Sequence, residues 1–189
     1  MSLRGIWQEC SAGRATTWAL AVVCLFVIIQ LIFVLPYFEC VAGFKPFDTQ
    51  SPLSAAAVAI QLGAYRAGAA SAYSVFLASE LPLALSVSAF FALLWRWMFL
   101  VSPNRIFAFL KNGGILLTPF IAVFFNFAES VGFARLINGL SGPAYASAIE
   151  FSTLMHQLRT ASEDVRIYLT IFFAGIIATQ WIRKKEEGL

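Results

Sequence analysis

Four stretches of this sequence are apolar over about the 20 residues needed to cross some 30 Å of hydrocarbon, and that removes most folds from consideration. They run over about 17–36, 78–101, 114–137 and 165–182. Backbone groups in lipid must be satisfied within their own segment, so each stretch is expected to be a helix. Trp18 and Tyr37 stand at the ends of the first, where amphipathic rings favour the headgroup level, and Trp181 with Arg183, Lys184 and Lys185 bounds the fourth. Composition agrees: 60% of the chain is hydrophobic, 12% is charged and 19 of its 189 residues are Phe, too much apolar surface for one soluble core. The expected architecture is all-α, an integral membrane four-helix bundle forming a single membrane domain over residues 1–189.

The connections add two outer interfacial helices. Between the first two spans, a segment rich in Ala, Ser and Gly follows the start signal at Pro52 and reads as a helix over about 53–73. After the turn at 138–143, residues 144–162 have helical composition but are too polar for a span. Ser162-Glu163-Asp164 supplies an N-cap and an acidic first turn for the fourth span. On the inner side, turns are expected at 102–104 and 112–114, with a short basic amphipathic turn at 105–111 between them.

Basic residues orient the chain. With both termini cytoplasmic, the inner side carries Arg4, Arg14, Arg96, Arg105, Lys111, Arg183, Lys184 and Lys185 against three acids. The other side carries Lys45, Arg66, Arg135, Arg159 and Arg166 against seven acids, so both termini are expected inside, with a bacterial inner (plasma) membrane as the location. The net charge of +3 is therefore topological, and nucleic acid is not an expected partner. The first apolar run, at about 18 residues, exceeds the core of a signal peptide and is expected to be a retained anchor. Cys10, Cys24 and Cys40 fall at separate levels and include no C-x-x-C, so no disulfide framework is expected.

Within this frame a few polar residues stand out. Glu129 is the one ionisable side chain in the apolar run between Lys111 and Arg135, where an acid at the bilayer centre costs about 2.5–3.5 kcal/mol. Asn126, three residues earlier, shares its helical face, and the pair falls in the outer half of the bilayer. Glu80 enters from the same side, two residues before Pro82, where it either dresses the first turn of a helix or joins a site. Glu150, Thr153, His156 and Gln157 recur at three- and four-residue steps on the outer helix. His156 is the single histidine, which leaves no histidine-based metal site and no haem pair, and no metal or cofactor is expected. The candidate polar pocket is Glu129, Asn126, Glu80, His156 and Thr153; no residue is assigned as catalytic. The competing reading of Glu129 is structural, a hydrogen bond that holds neighbouring helices together at about 0.6–2 kcal/mol.

The order of these features resembles a family of small bacterial and algal four-span integral membrane proteins. In that family a Gly-rich helix ending in Tyr precedes an acid-x-x-x-Pro opening of span two, span three carries Asp-x-x-Glu-Asn, and Thr-x-x-Lys precedes span four. Here Tyr73 precedes Glu80 by seven residues, Asn126-x-x-Glu129-Ser130 stands for the acidic motif, and Thr153-x-x-His156 for the last. Pro82 lies two residues after the acid, and Asn126, Ser130 and His156 replace Asp, Asn and Lys. The resemblance implies no known activity, but it implies that Glu80, Glu129 and His156 belong to one site.

Two function classes follow. The first is a non-enzymatic binding or assembly protein whose outer-leaflet pocket takes a lipid headgroup, a small amphiphile or a partner helix, with the bilayer, a second copy or another membrane protein as partner. The second is a small membrane-embedded enzyme or proton-coupled transporter using Glu129 with His156. Against the second stand the lack of a Ser-His-Asp set, of paired metal ligands, of a nucleotide-binding loop and of an inverted repeat.

Overall fold

A computed structural model of the chain describes residues 3–102, 104–112, 114–139 and 141–186, without the side chains of 3–9, 111, 112 and 184. Pro103, Gly113 and Leu140, within the expected turns, and residues 187–189 lie outside the described residues. So do the side chains of Arg4, Glu9, Lys111 and Lys184 used in orienting the chain. The described residues are helical, with no strand among them, and four helices are long and apolar enough to cross a membrane.

The first is α1 (Leu3–Ile29), which passes through a π-helical turn at Gln30–Val34 into α2 (Leu35–Ala42). Pro36 has no N–H to donate to the preceding turn, and the widened turn absorbs that break. The same turn holds Gln30 inward, where Ser79 donates a hydrogen bond to Oε1. The chain then folds back through a short 3-10 turn at Phe47–Thr49 to α3 (Ala55–Ala64), capped by the Ser54 hydroxyl. The left-handed Gly68 reverses it into α4 (Ala69–Val101). Next come α5 (Arg105–Asn112), a 3-10 turn at Ile115–Phe120, α6 (Ile121–Ile137) and α7 (Ala144–Glu186).

Three expectations change here. Helix α4 begins nine residues before the expected span, so the interfacial helix drawn at 53–73 ends at Ala64 and Glu80 stands in mid-helix, not in a first turn. The helix expected at 144–162 is the first part of α7, which runs unbroken through 162–164. Ser162 therefore caps nothing: its hydroxyl donates to the Leu158 carbonyl one turn back, as Ser152, Thr153 and Thr160 do to theirs. No Gly or Pro interrupts the chain from Ala144 to Ala174, so these hydroxyls satisfy themselves within the helix without ending it.

Pairwise contacts fix the register. Helices α1 and α2 pack in turn on α4, from Trp97 against Gly13 of α1 at one end to Phe38 of α2 against Tyr73 at the other. Helix α6 packs on α7, where Gly132 lies directly against the Ser152 side chain. Helices α4 and α7 run parallel, meeting at Glu80–Arg159, Phe91–Arg166, Trp95–Thr170 and Ser102–Gln180. Two apolar clusters result. One gathers Phe38, Phe47, Tyr73, Phe76 and Phe133 near the loops at 43–54 and 138–143, here called the loop end. The other gathers Trp95, Phe99, Phe107 and Phe173 near Ser102, the Ser102 end.

Candidate functional site

Polar side chains from four elements converge at the loop end. Helix α6 brings Asn126 and Glu129 to one face, as their spacing requires, and Glu129 is completely buried. The His156 ring nitrogen Nδ1 of α7 lies 2.7 Å from Glu129 Oε1. One turn further on, Arg159 reaches between the two acids: Nη1 donates to Glu80 Oε1 at 3.1 Å, and Nε pairs with Glu129 Oε2 at 2.9 Å. The second contact is an ion pair without an aligned hydrogen bond. Asn126 Nδ2 donates to the same Glu80 oxygen at 3.0 Å.

The loop between α2 and α3 completes the network from above. Arg159 Nη2 donates to the Asp48 carbonyl at 2.6 Å, and the Tyr73 hydroxyl donates to Asp48 Oδ2 at 2.6 Å. Asp48 is held there because Phe47, fully buried, stacks on Phe133 with ring centroids 4.7 Å apart. Nearby, and outside the spans, burial pushes the Tyr65 phenol above its usual pKa. Its hydroxyl accepts from Gln61 and donates to the Lys45 carbonyl.

Four of the five residues singled out in the sequence are thus joined: Glu129, His156, Glu80 and Asn126. Glu80 and Glu129 are linked through Arg159 and not directly. Thr153 is buried on the same side of α7 but bonds the Ile149 carbonyl of its own helix. Glu150 and Gln157, expected on the face of His156, are exposed. Arg159 and Asp48 are not among the site residues read from the sequence, and Tyr73 enters there only through the family resemblance. The signal for Arg159 was present, since Ile149, Ser152, Thr153, His156 and Arg159 follow one helical stripe and all are buried.

Not every polar atom here is matched. Among the described residues Glu80 Oε2, Asn126 Oδ1 and His156 Nε2 are buried without a hydrogen-bond partner. Glu80, 8% exposed, and Asn126, 3% exposed, line a cavity of about 220 Å³ between α1, α4, α6 and α7. Arg159, Glu163, Arg166 and Ser88 line it as well, and Val27, Leu83, Val87 and Val123 supply its apolar wall. His156 lines a different cavity of about 290 Å³ beside Ser51, Pro52 and Asp164. Unfilled acceptors beside a cavity are places where a ligand gains a hydrogen bond without displacing an existing one.

No family model, curated protein or solved structure matches this chain.

Proposed function

We propose that this protein is a non-enzymatic integral membrane protein that binds the polar headgroup of an amphiphile in the cavity between α1, α4, α6 and α7. The observation that carries this reading is that Glu80 and Asn126, each with a buried oxygen that lacks a partner, line a cavity walled on its other side by aliphatic side chains. The oxygen count favours it further. Asp48, Glu80 and Glu129 face one arginine and one histidine, so carboxyl oxygens outnumber the donors that reach them, and a ligand with hydrogen-bonding groups can match those left over.

Depth supports the same reading. Counting about 1.5 Å per residue along α4 and α7, the Glu80–Arg159 contact stands about 30 Å from the Ser102–Gln180 contact, close to one hydrocarbon thickness. With both termini cytoplasmic, as the basic residues favour, the network meets the outer headgroup region of an inner membrane.

The test is native mass spectrometry of protein purified in mild detergent. Wild-type chain is expected to retain amphiphile at one per chain, and Glu80→Gln, which turns an unfilled acceptor into a donor, to lose most of it while melting within a few degrees of wild type. Equal retention by both proteins would contradict the reading. A second reading, proton handling by Glu129 and His156, draws on their 2.7 Å contact and on the second cavity beside His156. It requires that His156→Gln abolish proton-coupled uptake in vesicles without changing amphiphile retention.

A further inference from the structure

Seven residues beyond Arg159 on the same face of α7, Arg166 borders the same cavity, about 10 Å further toward the Ser102 end. Its guanidinium lies 4.6 Å from the centre of the Phe91 ring. Among the described residues it makes no ion pair, and its Nε is buried without a hydrogen-bond partner. It also borders a second cavity of about 240 Å³, walled by Ile121, Leu158, Val165 and Leu169. A cation next to apolar walls on both sides, stacked on a ring, with Glu163 one turn away on α7 but no acid within ion-pair distance among the described residues, has guanidinium donors left to bind a ligand. The planar fork of an arginine matches phosphate oxygens two at a time.

We infer that Arg166 is the phosphate contact of the cavity, and that the ligand is a glycerophospholipid whose headgroup also carries a hydrogen-bond donor, an ammonium or a hydroxyl. This rests on the amphiphile reading of the cavity and adds the headgroup. The order of groups along α7 is the order within such a lipid. The unfilled acceptors of Glu80 and Asn126 stand at the loop end and take the donor-bearing tip. Arg166 follows and takes the phosphate, and the apolar cavity beside it takes the first part of an acyl chain. Glu163, between the two arginines on α7, disfavours a headgroup that is anionic without a donor.

The experiment is a thermal-shift titration of full-length protein in detergent with lipids of identical acyl chains. The set is phosphatidylethanolamine and phosphatidylglycerol, with phosphate and donor; phosphatidylcholine, with phosphate and no donor; and diacylglycerol, with no phosphate. Inorganic phosphate is titrated alone. Wild type is expected to bind phosphatidylcholine about tenfold more tightly than diacylglycerol, the size of one charge-assisted contact, and the first two more tightly still. Arg166→Gln is expected to bring phosphatidylcholine to the diacylglycerol level while the first two keep their advantage over it, Arg166→Lys to restore part of the phosphate preference, and inorganic phosphate to give no shift. Glu80→Gln is expected to erase the advantage over phosphatidylcholine and to keep the advantage of phosphate.

If diacylglycerol binds wild type as tightly as the phospholipids, or Arg166→Gln leaves the preference unchanged, the assignment of Arg166 is overturned and the amphiphile cavity stands. A shift with inorganic phosphate equal to that with phospholipid overturns the lipid and makes this a free-anion site. If no amphiphile shifts wild type, the cavity reading itself fails.

Discussion

At the Ser102 end, Trp95, Phe99 and Phe107 pack around Phe173 with rings largely edge to face, and the polar group buried among them, Trp95 Nε1, donates to Thr170 at 2.8 Å. At the loop end, Phe47, Tyr73, Phe76 and Phe133 form a comparable aromatic cluster, yet it adjoins three acids, an arginine and a histidine, several of whose atoms are unmatched. Both ends bury aromatic rings, so burial does not separate them. What separates them is hydrogen-bond capacity: among the described residues the Ser102 end leaves one buried side-chain atom, Asn104 Nδ2, unmatched, whereas the loop end leaves Asp48 Oδ1, Glu80 Oε2, Asn126 Oδ1 and His156 Nε2 among others. Surplus capacity costs stability, and an apolar pairing such as that at the Ser102 end would have been the cheaper solution. The proposed function therefore rests on the loop end, and the Ser102 end is the part that holds it.

The largest expected effect tests the network as a unit. Arg159→Leu leaves Glu80 and Glu129 buried without their cation, a loss of about 3–5 kcal/mol, and little monodisperse protein should survive size-exclusion chromatography after mild heating. Near-wild-type stability would show that the acids do not depend on Arg159. Next comes the helix contact beneath the network. A methyl group on Gly132 collides with the Ser152 side chain, and overpacking of this kind costs about 1–3 kcal/mol. Gly132→Ala should lower the melting temperature, and adding Ser152→Ala should recover part of the loss. Smaller is Trp95→Phe, which removes the bond to Thr170 and leaves a small cavity, together about 1–2 kcal/mol. It should leave amphiphile retention intact; if retention falls as it does in Glu80→Gln, the two ends are not distinct.

The helices were legible in the sequence because lipid imposes length and composition directly, and the face shared by Asn126 and Glu129 followed from their spacing. Arg159 was harder to read. It was counted only among the charges of the outer side, whereas it continues the buried stripe of α7. Asp48 carried no local signal at all, since it reaches the network through a loop that returns into the helices, held there by the stacking of Phe47 on Phe133 and by hydrogen bonds from Tyr73 and Arg159. The continuity of α7 was hidden for a chemical reason. Ser162 followed by two acids is the pattern of a helix start, but a serine hydroxyl that bonds the carbonyl four residues back leaves the helix intact. The unmatched oxygens of Glu80 and Asn126, which carry the functional reading, arise from how helices meet and are not visible in any one segment.

The central claim is that the surplus capacity at the loop end is filled by an amphiphile. The most direct measurement is a high-resolution structure of the protein in nanodiscs of native lipid. The account predicts continuous density in the cavity, with its polar end against Glu80 Oε2 and Asn126 Oδ1 and its phosphate at Arg166. A cavity closed by its own side chains, or holding only waters that satisfy those oxygens, would contradict it.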